Sequence, residues 1–272
     1  MDWWQAIILG IVQGLTEFLP VSSSGHLMIF KEVVGADAAG FLDFTVTVHF
    51  ATVLSTLVVF WAAIRGLLKG LLAFKWNSET DYIAKLLVSA IPVAIVGVLF
   101  KDKVEALFGE SLTVVAIGLM ITAALLFLSD IISKSVIKGI KVKESDGISW
   151  WQAFVVGIGQ ALAVTPGISR SGTTIATGLL CGVRRDLMAQ FSFLMVLIPI
   201  IGEQGLDILK ATVGGDGFGG GVSPLCLLLG FVFAFASGLL ACKAMIALVK
   251  KAKLGWFSLY CILVSILILI LT

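Results

Sequence analysis

Runs of roughly 20 predominantly apolar residues, each long enough for a helix to cross a bilayer core about 30 Å thick, recur from one end of this chain to the other. That recurrence excludes any fold that must meet water on all sides. Composition agrees, since 59% of the 272 residues are hydrophobic and only 13% are charged, against roughly 25% in a soluble domain. No stretch between the runs is left over for a separate soluble domain. The opening Met1-Asp2-Trp3-Trp4 has no Lys or Arg ahead of its apolar run and no small-residue cleavage site after it. It is therefore expected to stay in the mature protein rather than leave as a signal peptide.

A formal net charge of +2, with the basic residues scattered over short loops, gives no basis for a nucleic-acid partner. Cys181, Cys226, Cys242 and Cys261 lie in or beside apolar runs without CxxC or Cys/His spacing, so they are read as small apolar side chains.

The chain repeats itself. Aligning Trp3 with Trp150 lays WWQAIILGIVQGL over WWQAFVVGIGQAL, and the same offset brings Ser22, Ser24 and Gly25 onto Ser169, Ser171 and Gly172. Repeat one occupies about residues 1–130 and repeat two about 148–272 of a single integral membrane domain. Each copy opens with an apolar stretch broken at Pro20 or Pro166 by a polar tip, PVSSSGH or PGISRSG, followed by roughly a dozen apolar residues. At 1.5 Å per residue a dozen is too short to cross. Each opening thus reads as a re-entrant hairpin whose tip must be shielded from lipid, with two kinked crossings as the alternative. Three spans follow in each copy. They are Phe41 to Ile64, Ile83 to Phe100 and Leu112 to Leu128, then Leu187 to Ile201, Leu225 to Val249 and Gly255 to Leu271.

Cytoplasmic loops carry the excess of Lys and Arg in such proteins. Placing the N-terminus outside puts Arg65, Lys69, Lys75, Lys134, Lys138, Lys141, Lys143, Arg184, Arg185, Lys250, Lys251 and Lys253 inside. Only Lys31, Lys101, Lys103 and Lys210 are then outside, while Lys85 and Lys243 lie at inner span ends. Three crossings per copy is an odd number, so the second copy is upside down relative to the first. The fold expected is an all-α polytopic membrane protein of two inverted-topology repeats, each a re-entrant helix hairpin plus three transmembrane helices, with both termini outside. The two polar tips are expected to meet near mid-membrane.

Ionised side chains at that depth are costly unless paired or hydrated, which singles out Glu17 and Arg170. They are expected to pair with each other, either as part of a site or as a lock between the two halves. Arg170 stands among Ser169, Ser171, Gly172, Thr173 and Thr174 at an apparent helix start, a set of donors suited to phosphate oxygens. Ser22, Ser23, Ser24 and Gly25 repeat the pattern, although such stretches alone more often mark helix breaks. Gln13 and Glu17, four apart, share one helix face. His26 is a candidate proton handler beside three serines, against a satisfied core histidine. His49, with only Thr45, Thr47 and Thr52 polar around it in FTVTVHFAT, is assigned to the core. Trp3, Trp4, Trp61, Trp76, Trp150 and Trp151 fall near span ends as interfacial anchors. The stretch Gly214 to Gly221 lacks the Lys of a nucleotide loop and reads as an external turn.

With these residues in place, QGLTEFLPVSSSGH and PGISRSGTT closely resemble the undecaprenyl-diphosphate phosphatases, also called the bacitracin-resistance family, over essentially the whole chain. The resemblance implies an enzyme of the bacterial cytoplasmic (inner) membrane. It would remove the terminal phosphate of a polyprenyl diphosphate lipid, giving the monophosphate carrier reused in peptidoglycan and other envelope polymers. It implies Ser23 or an activated water as the attacking group, an Arg170 loop for phosphate, a divalent cation, Mg²⁺ or Ca²⁺, at Gln13 and Glu17, and Glu17 as metal ligand or base. Many members have Glu where this chain has Gln13, which shifts more of that work onto Glu17. A homodimer is a further expectation. A lipid-phosphate transporter or flippase using the same cavity is the alternative, and a purely structural membrane partner a third reading.

Overall fold

The computed structural model describes residues 1–37, 40–108, 112–139, 147–202, 221–251 and 253–271. The expected positions of Lys141, Lys143 and Lys210, most of the Gly214 to Gly221 turn, and the side chains of Lys101, Lys134, Lys138, Lys250 and Lys251 lie outside them.

The described residues are helical, with no strand among them. In chain order the helices are α1 (Trp3–Phe18), α2 (Ser23–Val34), α3 (Phe41–Val59), α4 (Trp61–Leu71), α5 (Ser78–Leu99), α6 (Lys101–Phe108) and α7 (Leu112–Gly139). The second half continues with α8 (Trp150–Leu162), α9 (Arg170–Leu180), α10 (Arg185–Met195), α11 (Pro224–Lys251) and α12 (Gly255–Leu271). Among the described residues, five helical segments are long and apolar enough to cross a membrane: Phe41–Val59, Ser78–Leu99, Leu112–Ile132, Arg185–Gly202 and Pro224–Val249. The sixth expected crossing, Gly255–Leu271, is an apolar helix of 17 residues, about 25 Å long. Leu87, Ile91, Ile95 and Val98 of α5 are exposed. So wide an uncovered apolar face suits lipid rather than water.

Two span limits differ most from the expectation, while α5 also starts earlier, at Ser78 rather than Ile83. The segment expected to run to Ile64 breaks at Phe60, whose φ of −96° and ψ of 11° end α3 before α4 begins at Trp61. Hydropathy alone cannot register that break, because both helices are apolar there. Conversely α7 continues to Gly139 rather than stopping at Leu128. Helical backbone therefore carries Lys134 and Lys138, which the charge count had placed in a loop.

Each opening folds back on itself, and the repeat closes both in the same way. Gln5 Nε2 donates to Val34 O (2.9 Å) and Gly35 O (3.2 Å), joining the first turn of α1 to the end of α2. Gln152 Nε2 donates to Cys181 O (2.9 Å) and joins α8 to the end of α9. Both glutamines also sit in capping boxes, with Asp2 and Ser149 as the N-caps. One side chain thus starts each helix and shuts each hairpin.

The halves pack by exchange. Helix α1 lies on α11, α8 on α5, and α7 on α12. Ser265 and Ser258 of α12 donate to Ala116 O (2.8 Å) and Ala123 O (2.7 Å) of α7, so those two run antiparallel. Small residues allow the close approaches, as expected where lipid and helix faces are equally apolar. Gly10 faces Gly230, and Gly230 in turn lies under the Phe44 ring of α3. Gly230→Leu is expected to lower the thermal midpoint in detergent by the equivalent of about 1–3 kcal/mol or more, the usual cost of overpacking. An unchanged midpoint in a melting experiment on purified variant would contradict this packing.

Candidate active site

The first tip is a break that the chain holds in place. Leu19, extended ahead of Pro20, ends α1, and Ser22 then adopts a φ of 68° and ψ of 98°. For a residue with a side chain that region costs on the order of 1–3 kcal/mol, so neighbours must hold it. Gly25 N donates to Ser22 Oγ (3.3 Å) and His26 N to Ser22 O (3.1 Å). The His26 ring adds a third bond, Nδ1 to Ser22 O at 2.7 Å. A carbonyl only accepts, so Nδ1 carries the proton, and in the neutral ring Nε2 accepts the Tyr260 hydroxyl at 2.7 Å. His26 thus braces the tip against α12. Its ring nitrogens face Ser22 and Tyr260, with no hydrogen bond to Ser23 or Glu17.

The second tip repeats the cap and is clasped by α7. Ser169 Oγ accepts from Gly172 N (3.1 Å), as Ser22 does from Gly25. The Ser22–Ser24 and Ser169–Ser171 hydroxyl pairs each stand 3.4 Å apart. Thr122 Oγ1 accepts from Ser169 N (2.9 Å). Gly167 has a φ of 83° and lies flat on Val115, where a Cβ would strike α7 backbone.

The tips meet. Ser171 Oγ donates to Leu19 O (3.1 Å), and a Cβ built on Gly172 would stand 3.2 Å from Pro20 Cβ. Across this junction Arg170 pairs with Glu17 through Oε1. The other carboxylate oxygen, Oε2, accepts Ser23 Oγ at 2.6 Å and Gln13 Nε2 at 2.8 Å. Gln13 is fully buried, and its Oε1 has no hydrogen-bond partner among the described residues. Thr174 Oγ1 bonds Arg170 O (2.8 Å) and the Ser192 hydroxyl of α10 (2.6 Å), steadying the start of α9. Thr173, the repeat counterpart of His26, is buried, and its hydroxyl has no hydrogen-bond partner among the described residues.

A cavity opens on this cluster. Glu17, Arg170, Ser171, Thr52, Thr56 and Ser192 line its polar end, while Phe18, Val53, Phe193, Val196, Leu197 and Ile200 form an apolar wall. Such a lining suits a molecule with an anionic head and a hydrocarbon body.

Sequence reasoning missed several of these groups. His49, assigned to the core, has Nε2 3.7 Å from Glu17 Oε2. Thr52, Thr56 and Ser192 reach the cavity, and Tyr260 reaches His26. A partial signal for α3 was present: His49, Thr52 and Thr56 are three and then four residues apart and so share one helix face, although Asp43, Thr47 and Ser55 put polar groups elsewhere on the same helix. Nothing local in the sequence marked Tyr260 or Ser192.

Fold and site together define a multi-pass helical membrane protein with a buried Arg–Glu–hydroxyl cluster at the junction of two broken-helix hairpins. The family described as bacitracin resistance protein BacA matches residues 6–267, and the chain belongs to that family. An undecaprenyl-diphosphatase of Bacteroides fragilis is 49% identical over 272 residues, covering 100% of this chain and 99% of the relative. One of Parabacteroides distasonis is 51% identical over 261 residues, covering 96% and 95%. Another, of Methanobrevibacter smithii, is 36% identical over 281 residues, covering 98% and 97%.

Proposed function

We propose that this chain hydrolyses undecaprenyl diphosphate to undecaprenyl phosphate and inorganic phosphate, returning the carrier lipid to peptidoglycan and envelope synthesis and thereby conferring bacitracin resistance. The observation that carries the reading is the Ser23 hydroxyl held 2.6 Å from Glu17 Oε2, on a carboxylate whose other oxygen is taken by Arg170. A hydroxyl donating to a carboxylate is a nucleophile next to its base. An arginine fork beside it stabilises charge on phosphate oxygens.

The steps follow from those contacts. The terminal phosphate enters the polar end of the cavity, and the prenyl chain lies along the Phe18, Phe193 and Ile200 wall. Arg170 and the Ser169 and Ser171 hydroxyls take the phosphate oxygens. Glu17 accepts the Ser23 proton as Oγ forms its bond to the terminal phosphorus, and the bond to the bridging oxygen breaks, releasing undecaprenyl phosphate. Glu17 passes that proton on to the departing undecaprenyl phosphate; water then cleaves the phosphoserine, its proton passing to Glu17 and on to Ser23 Oγ as the phosphorus–Oγ bond breaks, and inorganic phosphate leaves. An activated water attacking directly is the variant of this scheme. His26 serves by holding Ser22 and hence the position of Ser23. Gln13 Oε1, an unpartnered buried acceptor, and Glu17 Oε2 fit a divalent cation. When bound, Mg²⁺ or Ca²⁺ would neutralise charge on the diphosphate and share its oxygens.

The closures by Gln5 and Gln152, together with the exchanged packing of α1 on α11 and α8 on α5, support an inverted pair of repeats whose hairpins enter from opposite membrane faces. The basic-residue asymmetry supports a cytoplasmic-membrane orientation with both termini outside. Purified protein in detergent, given undecaprenyl diphosphate, is expected to release inorganic phosphate. Lipid moved intact across proteoliposomes with no phosphate released would instead establish the transporter reading.

A further inference from the structure

We propose that His49 is a nitrogen ligand of the cation at this site, and that it moves the site's preference from Mg²⁺ toward Mn²⁺. The proposal rests on the cation-assisted reading above and specifies the donor set on this chain. His49 Nδ1 lies 2.8 Å from Thr45 O, a carbonyl that can only accept, so Nδ1 is the donor and Nε2 is the nitrogen left to bind an ion. That nitrogen faces Glu17 Oε2 across 3.7 Å. The gap is too long for a hydrogen bond, and in the neutral ring neither atom brings a proton to it. Two donors bound to one ion at about 2.1 Å each stand on the order of 3–4 Å apart, which matches. A backbone carbonyl fixing the far ring nitrogen is also the usual support of a metal-bound histidine.

Gln13 supplies the second, independent observation. Its side chain is fully buried and its Nε2 reaches Glu17 Oε2, so the unpartnered Oε1 lies within one amide of the same point. Among the described residues no three His, Cys, Asp or Glu side chains gather to hold a metal. The protein therefore offers a partial shell of Glu17 Oε2, Gln13 Oε1 and His49 Nε2, leaving positions for phosphate oxygens and water. Imidazole suits later divalent metals better than Mg²⁺ or Ca²⁺, whereas carboxylate, amide and water also suit Mn²⁺. Mixed N and O donors therefore favour Mn²⁺ over Mg²⁺.

The chain contains only two histidines, which makes the test direct. Full-length protein in detergent is loaded with Mn²⁺, with and without a non-hydrolysable diphosphonate, and examined by pulsed electron paramagnetic resonance. A ¹⁴N coupling from one bound imidazole is expected, retained in His26→Asn and lost in His49→Gln. Equilibrium binding should show Mn²⁺ affinity falling roughly tenfold in His49→Gln while Mg²⁺ affinity stays near wild type. Wild-type protein with no ¹⁴N coupling in either condition overturns the proposal, as does an unchanged Mn²⁺-to-Mg²⁺ ratio in the variant. An imidazolium merely paired with Glu17 gives the first of those results. Phosphate release is measured separately, so wild-type enzyme that hydrolyses the lipid without ¹⁴N coupling rejects His49 as a ligand and leaves the phosphatase reading standing.

Discussion

Arg170→Ala is expected to reduce phosphate release from undecaprenyl diphosphate by about 10²–10³-fold, the usual consequence of removing one group that stabilises transition-state charge in a buried site. The guanidinium is the cationic side chain lining the cavity, next to Ser171 and Ser192. It also neutralises Glu17, so its loss leaves a carboxylate unpaired, which costs roughly 3–5 kcal/mol when such a pair is buried. Stability and chemistry must therefore be separated. The double variant Arg170→Ala/Glu17→Gln removes both charges and is expected to recover most of the thermal midpoint without recovering turnover. Arg170→Lys keeps the charge but loses the planar fork, and should fall between wild type and alanine. Normal phosphate release by Arg170→Ala would end the assignment. Recovery of both stability and activity in the double variant would reduce the pair to a lock between the halves.

Ser23→Ala should abolish turnover more completely, by about 10³-fold or more, with little change in melting. Losing an attacking atom costs far more than losing a hydrogen bond. The Ser23 hydroxyl bonds Glu17, whereas the strained conformation next to it is held by Ser22, Gly25 and His26. The tip should therefore survive the change. Single-turnover release of inorganic phosphate is the measurement. If Ser23→Ala keeps more than roughly a tenth of wild-type turnover, the attacking group is water and Ser23 only orients it. Ser22→Ala and Ser24→Ala, in the same tip but away from Glu17, should lose much less.

The pairing of Glu17 with Arg170 was legible because an ion within an apolar run demands a counter-ion, and the described core has few to offer. The meeting of the tips followed from the repeat. His49 was not legible in the same way. It lies 32 residues beyond Glu17, and the polar residues nearest it in the chain are threonines, which satisfy a core histidine equally well. His26 illustrates the opposite case. Its place beside three serines suggested proton transfer, yet its ring is directed at Ser22 O and at Tyr260, which lies 234 residues away in sequence. The choice between those partners is made by the packing of α12 on α7, about which the motif PVSSSGH says nothing.

The amino-acid sequence by itself determined the membrane class, the duplication, the two broken-helix tips and most of the polar residues set in them. Each follows from local physics: apolar length against bilayer thickness, Pro and Gly against helix continuity, and the cost of an ion in hydrocarbon. The tertiary structure decided which helix face each side chain occupies, and with it the neighbours of Glu17 and His26. In a soluble helix the polar face reports the direction of the core. Here lipid and protein interior are equally apolar, so hydropathy does not encode the rotation of α10 or α12 about its own axis. Only the close contacts between helices, through residues as small as Gly10, Gly230 and Ser258, determine it.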